Sequence, residues 1–429
     1  MSEIRAKSTL QIISLCTGFL GIQIGFALQA GNVTRILQNF GADLSHVPLF
    51  WLIAPLSGAI IQPLIGLWSD RDLKNGKTRI PYLLTGGVIC SAALLFLPHA
   101  NALISWSSPL MIGGLLLIVI DISFNISMHP LRASISDYLL PHQQAKGFAI
   151  QSSLISIGAI IGSTLPYILA QYFHIDNIAA KNEIAANVKV AFHLGSCTLL
   201  LCILITAYSI YRSKAKRPVQ LQANFKKISI SEIPAGIWKI GLVQFFSWGG
   251  FFLIWIYMTP AIAGHIFQEY QYVSSSQAYS KAANYTGLLF GTYHLASFFF
   301  SLLLPYLYQR FHIKKTHTVS LFIGAISMLS MYFIKDITSL YIPMIGLGIA
   351  WASILSSPYS LLIKILPKNQ VGLYLGVFNL FITLPQIFIG LSSGFLLKSL
   401  HENQAIYAII YAGGFLMLGA VCNLFTKQN

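Results

Sequence analysis

Of 429 residues, 55% are hydrophobic and only 9% are charged, where an ordinary soluble domain carries about 25% charged residues. So few polar side chains cannot cover a water-facing surface, so a soluble globular protein is excluded and most of the exterior must face lipid. The net charge of +15 raises nucleic acid as a partner, and the placement of the charges decides against it.

A membrane crossing needs about 20 mainly apolar residues, and helices are one of the two structures that satisfy their own backbone in lipid. Taken in chain order, the apolar runs predict helices over 9–36, 47–68, 80–98, 108–133, 146–170 and 190–211. A basic segment, 212–234, follows and contains Pro218 and Pro234. Six further helices are predicted over 236–262, 283–308, 317–334, 339–364, 371–396 and 405–426. The expected organisation is a six-helix half over 1–211, a cytoplasmic linker over 212–234 and a second half over 235–429. The first run is long, is broken by polar residues and lacks a small-residue cleavage site, so it reads as a first helix and not a removed signal.

Lys and Arg concentrate in alternate loops: Arg5, Lys7, Arg71, Lys74, Lys77, Arg79, Lys146, the cluster from Arg212 to Lys239, Arg310, Lys314, Lys315, Lys364, Lys368 and Lys427. The opposite side holds Arg35, Lys181, Lys189, Lys281, Lys335 and Lys398. This bias predicts an even number of crossings with both termini in the cytoplasm. It accounts for the net charge without nucleic acid. The five cysteines all sit in apolar runs with no CxxC spacing, so neither a metal site nor a disulfide is expected.

The first helix carries Gln23, Gln29 and Asn32. Between the second and third helices stands Gly66-Leu-Trp-Ser-Asp70-Arg71, followed by Gly76-Lys77-Thr78-Arg79. Asp70 is placed to cap a helix end or to pair with a basic group across the cytoplasmic seam. In the fourth helix Asp121 lies near the bilayer centre, where a charge is costly and marks function. It is the one acidic residue of twelve outside predicted loops and helix ends. Asp121, Asn125, Met128 and Arg132 recur at i, i+4, i+7 and i+11 and share a helix face. Arg132 stands about 16 Å along the axis from Asp121, too far for a direct pair within the helix. Gln151 lies in the fifth helix. The seventh carries the stripe Gln244, Trp248, Phe251 and Trp255, whose rings and amide complement the C–H faces and hydroxyls of a sugar. Gln62, Tyr293, His294, Trp351, Asn379 and Gln386 complete the polar and aromatic set. Neutral amides of this kind equally serve to hold helices together.

The halves show traces of a repeat. Leu140-Pro141 leads to Gly147-Phe148 after the fourth helix, and Leu366-Pro367 leads to Gly372-Leu373 after the tenth. Alignment on Pro130 and Pro358 sets Ile349 opposite Asp121 and Ser360 opposite Arg132. The ionisable pair therefore belongs to the first half, which is expected to carry the coupling chemistry.

Six helices, a basic loop and six more resemble the layout of the major facilitator fold, an all-α membrane architecture of twelve helices. Gly66 through Asp70-Arg71 to Arg79 is similar to the signature loop of that superfamily. More narrowly, Gln62-Pro-Leu-Ile-Gly66 with Arg79-Ile-Pro-Tyr82, and Asp121 through Pro130 to Arg132, resemble the sucrose/maltose–proton symporters, relatives of the plant sucrose carriers within the glycoside–pentoside–hexuronide group. Gly18 to Gln23, Asn32-Val-Thr-Arg35, Trp255 to Pro260, Ile345 to Ser353, and Phe378-Asn379 leading to Pro385-Gln386 look similar too. The Gly-Lys-Thr-Arg-Ile-Pro loop has fewer consecutive arginines than that family usually shows.

The resemblance implies proton-coupled uptake of a disaccharide or glucoside through a bacterial inner membrane, by a monomer without a cofactor other than the coupling proton. Asp121 and Arg132 are the expected coupling residues. Gln23, Gln29, Asn32, Asn125, Gln151, Gln244, Trp248, Trp255, His294 and Asn379 are expected to hold sugar. Gly66, Asp70, Arg71 and Arg79 are expected to form a cytoplasmic gate. Export by proton antiport and a non-transporting receptor or scaffold stay open. An intramembrane enzyme is disfavoured because no HExxH, nucleophile motif or paired intramembrane aspartates occur.

Overall fold

The computed structural model describes residues 6–103, 107–179, 183–213, 235–272, 276–365 and 371–426. Most of the basic linker (214–234), the loop 366–370 that carries Leu366-Pro367 and Lys368, and Arg5, Lys181 and Lys427 lie outside the described residues.

Twelve long helices follow one another: α1 Thr9–Asn39, α2 Ile53–Lys74, α3 Ile80–Phe96, α4 Pro109–Tyr138, α5 Pro141–Gln171, α6 Ala186–Arg212, α7 Ala235–His265, α8 Gln277–Phe311, α9 Ile313–Ser330, α10 Tyr341–Ile365, α11 Val371–His401 and α12 Ile406–Leu424. A short helix, Val47–Trp51, precedes α2, and no strand occurs among the described residues. Among the described residues, eleven helical spans are long and apolar enough to cross a membrane. The exception is α9, whose 18 residues include Lys314 and Lys315 in the first turn.

Several boundaries differ from the expected ones. The first, second and fourth helices run on to Asn39, Lys74 and Tyr138, because helix ends that leave the hydrocarbon become polar and hydropathy no longer marks them. The predicted 317–334 instead starts at Ile313 and stops at Ser330. Residues 331–334 fold into turns, with the Ile334 amide donating to the Met331 carbonyl (3.3 Å). Arg35, counted from the sequence among the outer-side charges, is buried inside α1 with 2% exposure. Its guanidinium donates to the Asn177 carbonyl and to Ser280 Oγ.

The described residues form two compact units. One lies within Met1–Ala42, Ile53–Leu221 and Ser274–Ser280, the other within Asp43–Leu52, Gln222–Val273 and Lys281–Asn429. In the first, α1 packs on α5, α6 and α4, while α3 packs on α4 and α6. In the second, α7 packs on α11, α12 and α10, while α9 packs on α10 and α12. The same five pairings recur at equivalent positions, which is the structural form of an internal repeat.

Without a hydrophobic drive between helices in lipid, close backbone approach does much of the packing. On α5, Gly158 and Gly162 are spaced by four and face α1. A methyl group at Gly158 would stand 2.6 Å from the Leu20 carbonyl, and one at Gly162 2.5 Å from the Ile24 carbonyl. We therefore predict that Gly162→Val destabilises the protein by about 1–3 kcal/mol through overpacking, read as a lower melting temperature of the purified protein. Gly414→Ala, where a Cβ meets nothing within 4 Å, should melt as the parent does.

Candidate functional site

In the first unit the polar residues of α4 meet those of α1 and α2. Asp121 is 3% exposed, and its Oδ1 accepts from Gln29 Nε2 at 3.0 Å. Among the described residues it has no cationic partner. One turn on, Asn125 Oδ1 accepts from Gln62 Nε2 (2.6 Å), and Asn125 Nδ2 donates to Ser57 Oγ (3.0 Å) and to the Asp121 carbonyl (2.8 Å). Helix spacing explains the assembly, since residues four apart stand above one another on one face. Gln29 keeps its Oε1 without a hydrogen-bond partner although it is buried. Asn32 spends its Nδ2 on the Leu28 carbonyl (3.0 Å) within α1.

Arg132 does not join this group. It is exposed where Asp121 is buried, because eleven residues carry it toward the polar end of α4. The side chain that reaches the Asp121 carboxyl is the neutral amide of Gln29. Gln23 and Gln151 are half-buried, and Asn379 is exposed.

In the second unit the stripe on α7 meets α10 and α8 in an aromatic cluster. The Trp351 ring centroid lies 5.4 Å from Trp248, 4.6 Å from Phe251 and 5.6 Å from Trp255. Trp255 Nε1 donates to the Tyr293 hydroxyl (3.3 Å), and the Tyr293 ring lies 4.1 Å from His294. Gln244 is fully buried with neither amide atom hydrogen-bonded, and Trp248 Nε1 also lacks a partner. Buried polar atoms without partners are rare, since each costs about 1–3 kcal/mol. Here they stand on one helix face beside four aromatic rings, an arrangement suited to a ligand that brings hydroxyls and an apolar ring face. Trp351 and Tyr293 stood in the wider polar and aromatic set; their adjacency to α7 came only with the packing of three helices.

The expected gate residues form a tighter structure than the loop motif indicates. Arg79, 2% exposed, binds Asp70 Oδ1 (2.6 Å), Asp137 Oδ2 (2.7 Å) and Ser69 Oγ (2.7 Å). The ion pair of Asp70 is thus made within its own unit, with Arg79 at the start of α3, and not with a group across a seam. Arg71 is exposed. Asp137, in the last turn of α4, escaped sequence reasoning because a carboxylate at a helix end looks like a solvated one. Gly66 gives His129 room: a Cβ there would lie 3.0 Å from His129 Nε2.

Removing one partner of a buried ion pair leaves the other uncompensated, at about 3–5 kcal/mol. Arg79→Ala is accordingly predicted to lower the melting temperature sharply. Adding Asp137→Asn to Arg79→Ala should recover part of the loss, because the stranded carboxylate is then gone.

Comparison with known proteins agrees with this architecture. The chain is 25% identical over 441 residues to a sucrose transport protein of Arabidopsis thaliana, covering 92% of this chain and 84% of the relative. It is 24% identical over 280 residues to a general alpha-glucoside permease of Schizosaccharomyces pombe, covering 61% of this chain and 49% of the permease. Its fold matches the crystal structure of a D-xylose–proton symporter with a TM-score of 0.70 at 13% identity, over 98% of each chain. A bacterial homologue of the human lysosomal transporter Spinster gives a TM-score of 0.70 at 14% identity, over 99% of this chain and 100% of that one. Residues 15–390 match the Major Facilitator Superfamily, and a match over most of the chain places this protein in that superfamily.

Proposed function

We propose that the protein takes up a sugar, a disaccharide or glucoside, together with protons, by alternating access of its two six-helix halves, 1–211 and 235–429, joined by the linker 212–234. The reading places it in a bacterial inner membrane as a monomer with both termini in the cytoplasm and the proton as coupling ion. The observation that carries it is Asp121, a carboxyl group buried in α4 whose hydrogen bond comes from the neutral amide of Gln29. An unpaired carboxylate in a low-dielectric interior is costly, and the simplest species that removes the charge is a proton. The sugar-transporting relatives and the aromatic cluster of the second unit support the substrate class.

On this reading Asp121 binds the proton and Gln29 orients its carboxyl, while Gln23, Gln29, Asn32, Asn125 and Gln151 are assigned to sugar hydroxyls. Gln244, Trp248, Trp255, His294 and Asn379 are assigned to the sugar from the other half. Trp351 adds the ring that holds Trp248 and Trp255 at an angle. Arg132 is assigned to balance charge at the polar end of α4. Gly66, Asp70, Arg71 and Arg79 are assigned to the cytoplasmic gate, where the Asp70–Arg79 pair braces the end of the first half. A carboxylate left charged in the closing cavity would oppose the swing, which ties movement of sugar to movement of protons.

Sugar added to a lightly buffered suspension of expressing cells should cause a transient external pH rise. In Asp121→Asn, which keeps the oxygen that accepts from Gln29, the rise and the accumulation are expected to vanish while sugar counterflow persists. Accumulation that survives this replacement would overturn the mechanism. Trp351→Ala is expected to raise the KM for sugar by roughly 2–10-fold, as expected from ring-pair energies of about 0.5–1.5 kcal/mol, with kcat nearly unchanged.

A further inference from the structure

Three loops at one end of the second unit enclose a cavity of about 160 Å³ that sugar transport does not use. Its wall includes His265 at the end of α7, Tyr272 in the following loop, Tyr332 and Lys335 beyond α9, and Gln404 and Tyr407 around the start of α12. In helices that cross a bilayer, such ends lie at the level of the lipid headgroups.

The chemistry of the wall selects a ligand. Lys335 Nζ donates to His265 Nε2 (3.3 Å) and lies 5.7 Å from the centre of the Tyr332 ring. The His265 ring stacks on Tyr332 with centroids 5.8 Å apart, and His401 stacks on Tyr407 at 4.0 Å. These aromatic rings are thus engaged with one another and with the ammonium group. What the wall offers is hydrogen-bond donors. The Tyr272 hydroxyl accepts from the Ala405 amide (3.1 Å) and keeps its own proton to donate. Lys335 brings a full positive charge, and Gln404 an amide. Among the described residues no carboxylate lines the cavity: Glu269, Asp336 and Glu402 stand in the same loops outside the wall, and Asp336 Oδ1 accepts from the Ser339 amide (2.9 Å). Two neutral donors beside one ammonium, with no carboxylate in the wall among the described residues, suit an oxyanion. The volume is roughly ten times what one water needs in a cavity, about 10–15 Å³, and accommodates a phosphate group with part of its ester.

We propose that this cavity binds a phosphate group, carried by a phospholipid headgroup or free in solution, at the end of the second unit. The site stands apart from Asp121 and the aromatic cluster, and rests on the membrane reading but not on the identity of the transported sugar.

The test uses the full chain purified in detergent and follows its melting temperature, since a ligand bound to the folded state raises it. One arm adds sodium phosphate against sodium chloride of equal ionic strength. The other adds phosphatidylglycerol against a diacylglycerol with the same chains and no phosphate. At least one phosphate-bearing probe should stabilise the parent, with at least tenfold weaker half-saturation in Lys335→Gln. The replacement should leave the melting temperature in chloride unchanged. Stabilisation by the phospholipid alone identifies a headgroup, and stabilisation by inorganic phosphate as well identifies a free anion. Tyr272→Phe, which keeps the ring and removes the hydroxyl, should weaken the same response and serves if Lys335→Gln does not fold. No response to either probe, or equal responses of variants and parent, would overturn the proposal.

Discussion

The hydrocarbon of a bilayer supplies no hydrogen bonds, so every polar side chain carried into it must find its partner within the protein. That constraint shapes the first unit. Asn125 is met on three sides by Gln62, Ser57 and the Asp121 carbonyl. Arg79 lies between Asp70 and Asp137 with Ser69 completing the set. Against these satisfied groups Asp121 stands out. Its hydrogen bond comes from an amide with no charge to give, which is why the proposed function gives it the proton.

The two units share a pattern of helix pairing but not a chemistry. The equivalent of Asp121 in the second half is Ile349, and the interior of that unit gathers tryptophan, phenylalanine and tyrosine around the side chains of α7. Duplication explains the shared pairing, because small residues and helix faces that pack once will pack again. On the proposed function, divergence of a few positions lets one copy hold a proton and the other a ring, and the unpaired atoms of Gln244 and Trp248 are then polar groups left for a ligand.

Much of this was readable before any coordinates. The class of protein followed from composition, and the helices followed from apolar runs of the length a bilayer requires. Asp121 was legible because one carboxylate in a run of apolar residues has no bland explanation. The face shared with Asn125, and the stripe from Gln244 to Trp255, followed from helical spacing alone. Helix ends were less legible: α2 runs six residues beyond its expected end and takes Asp70 and Asp72 with it. Arg35, which the sequence places among the outer-side charges at the end of the first helix, is a buried one in α1.

The sequence by itself determined what depends on one helix at a time, namely hydropathy, periodicity and the side of a helix on which a residue stands. Only the tertiary structure decided which faces meet. Gln29 and not Arg132 reaches Asp121, Asp137 shares Arg79 with Asp70, and Trp351 closes on the rings of α7. Those partners lie 92, 58 and 96 residues apart (121 − 29, 137 − 79 and 351 − 255). Contact over such separations is set by how glycines and side chains let whole helices approach, a property of pairs of surfaces that no single stretch of chain contains.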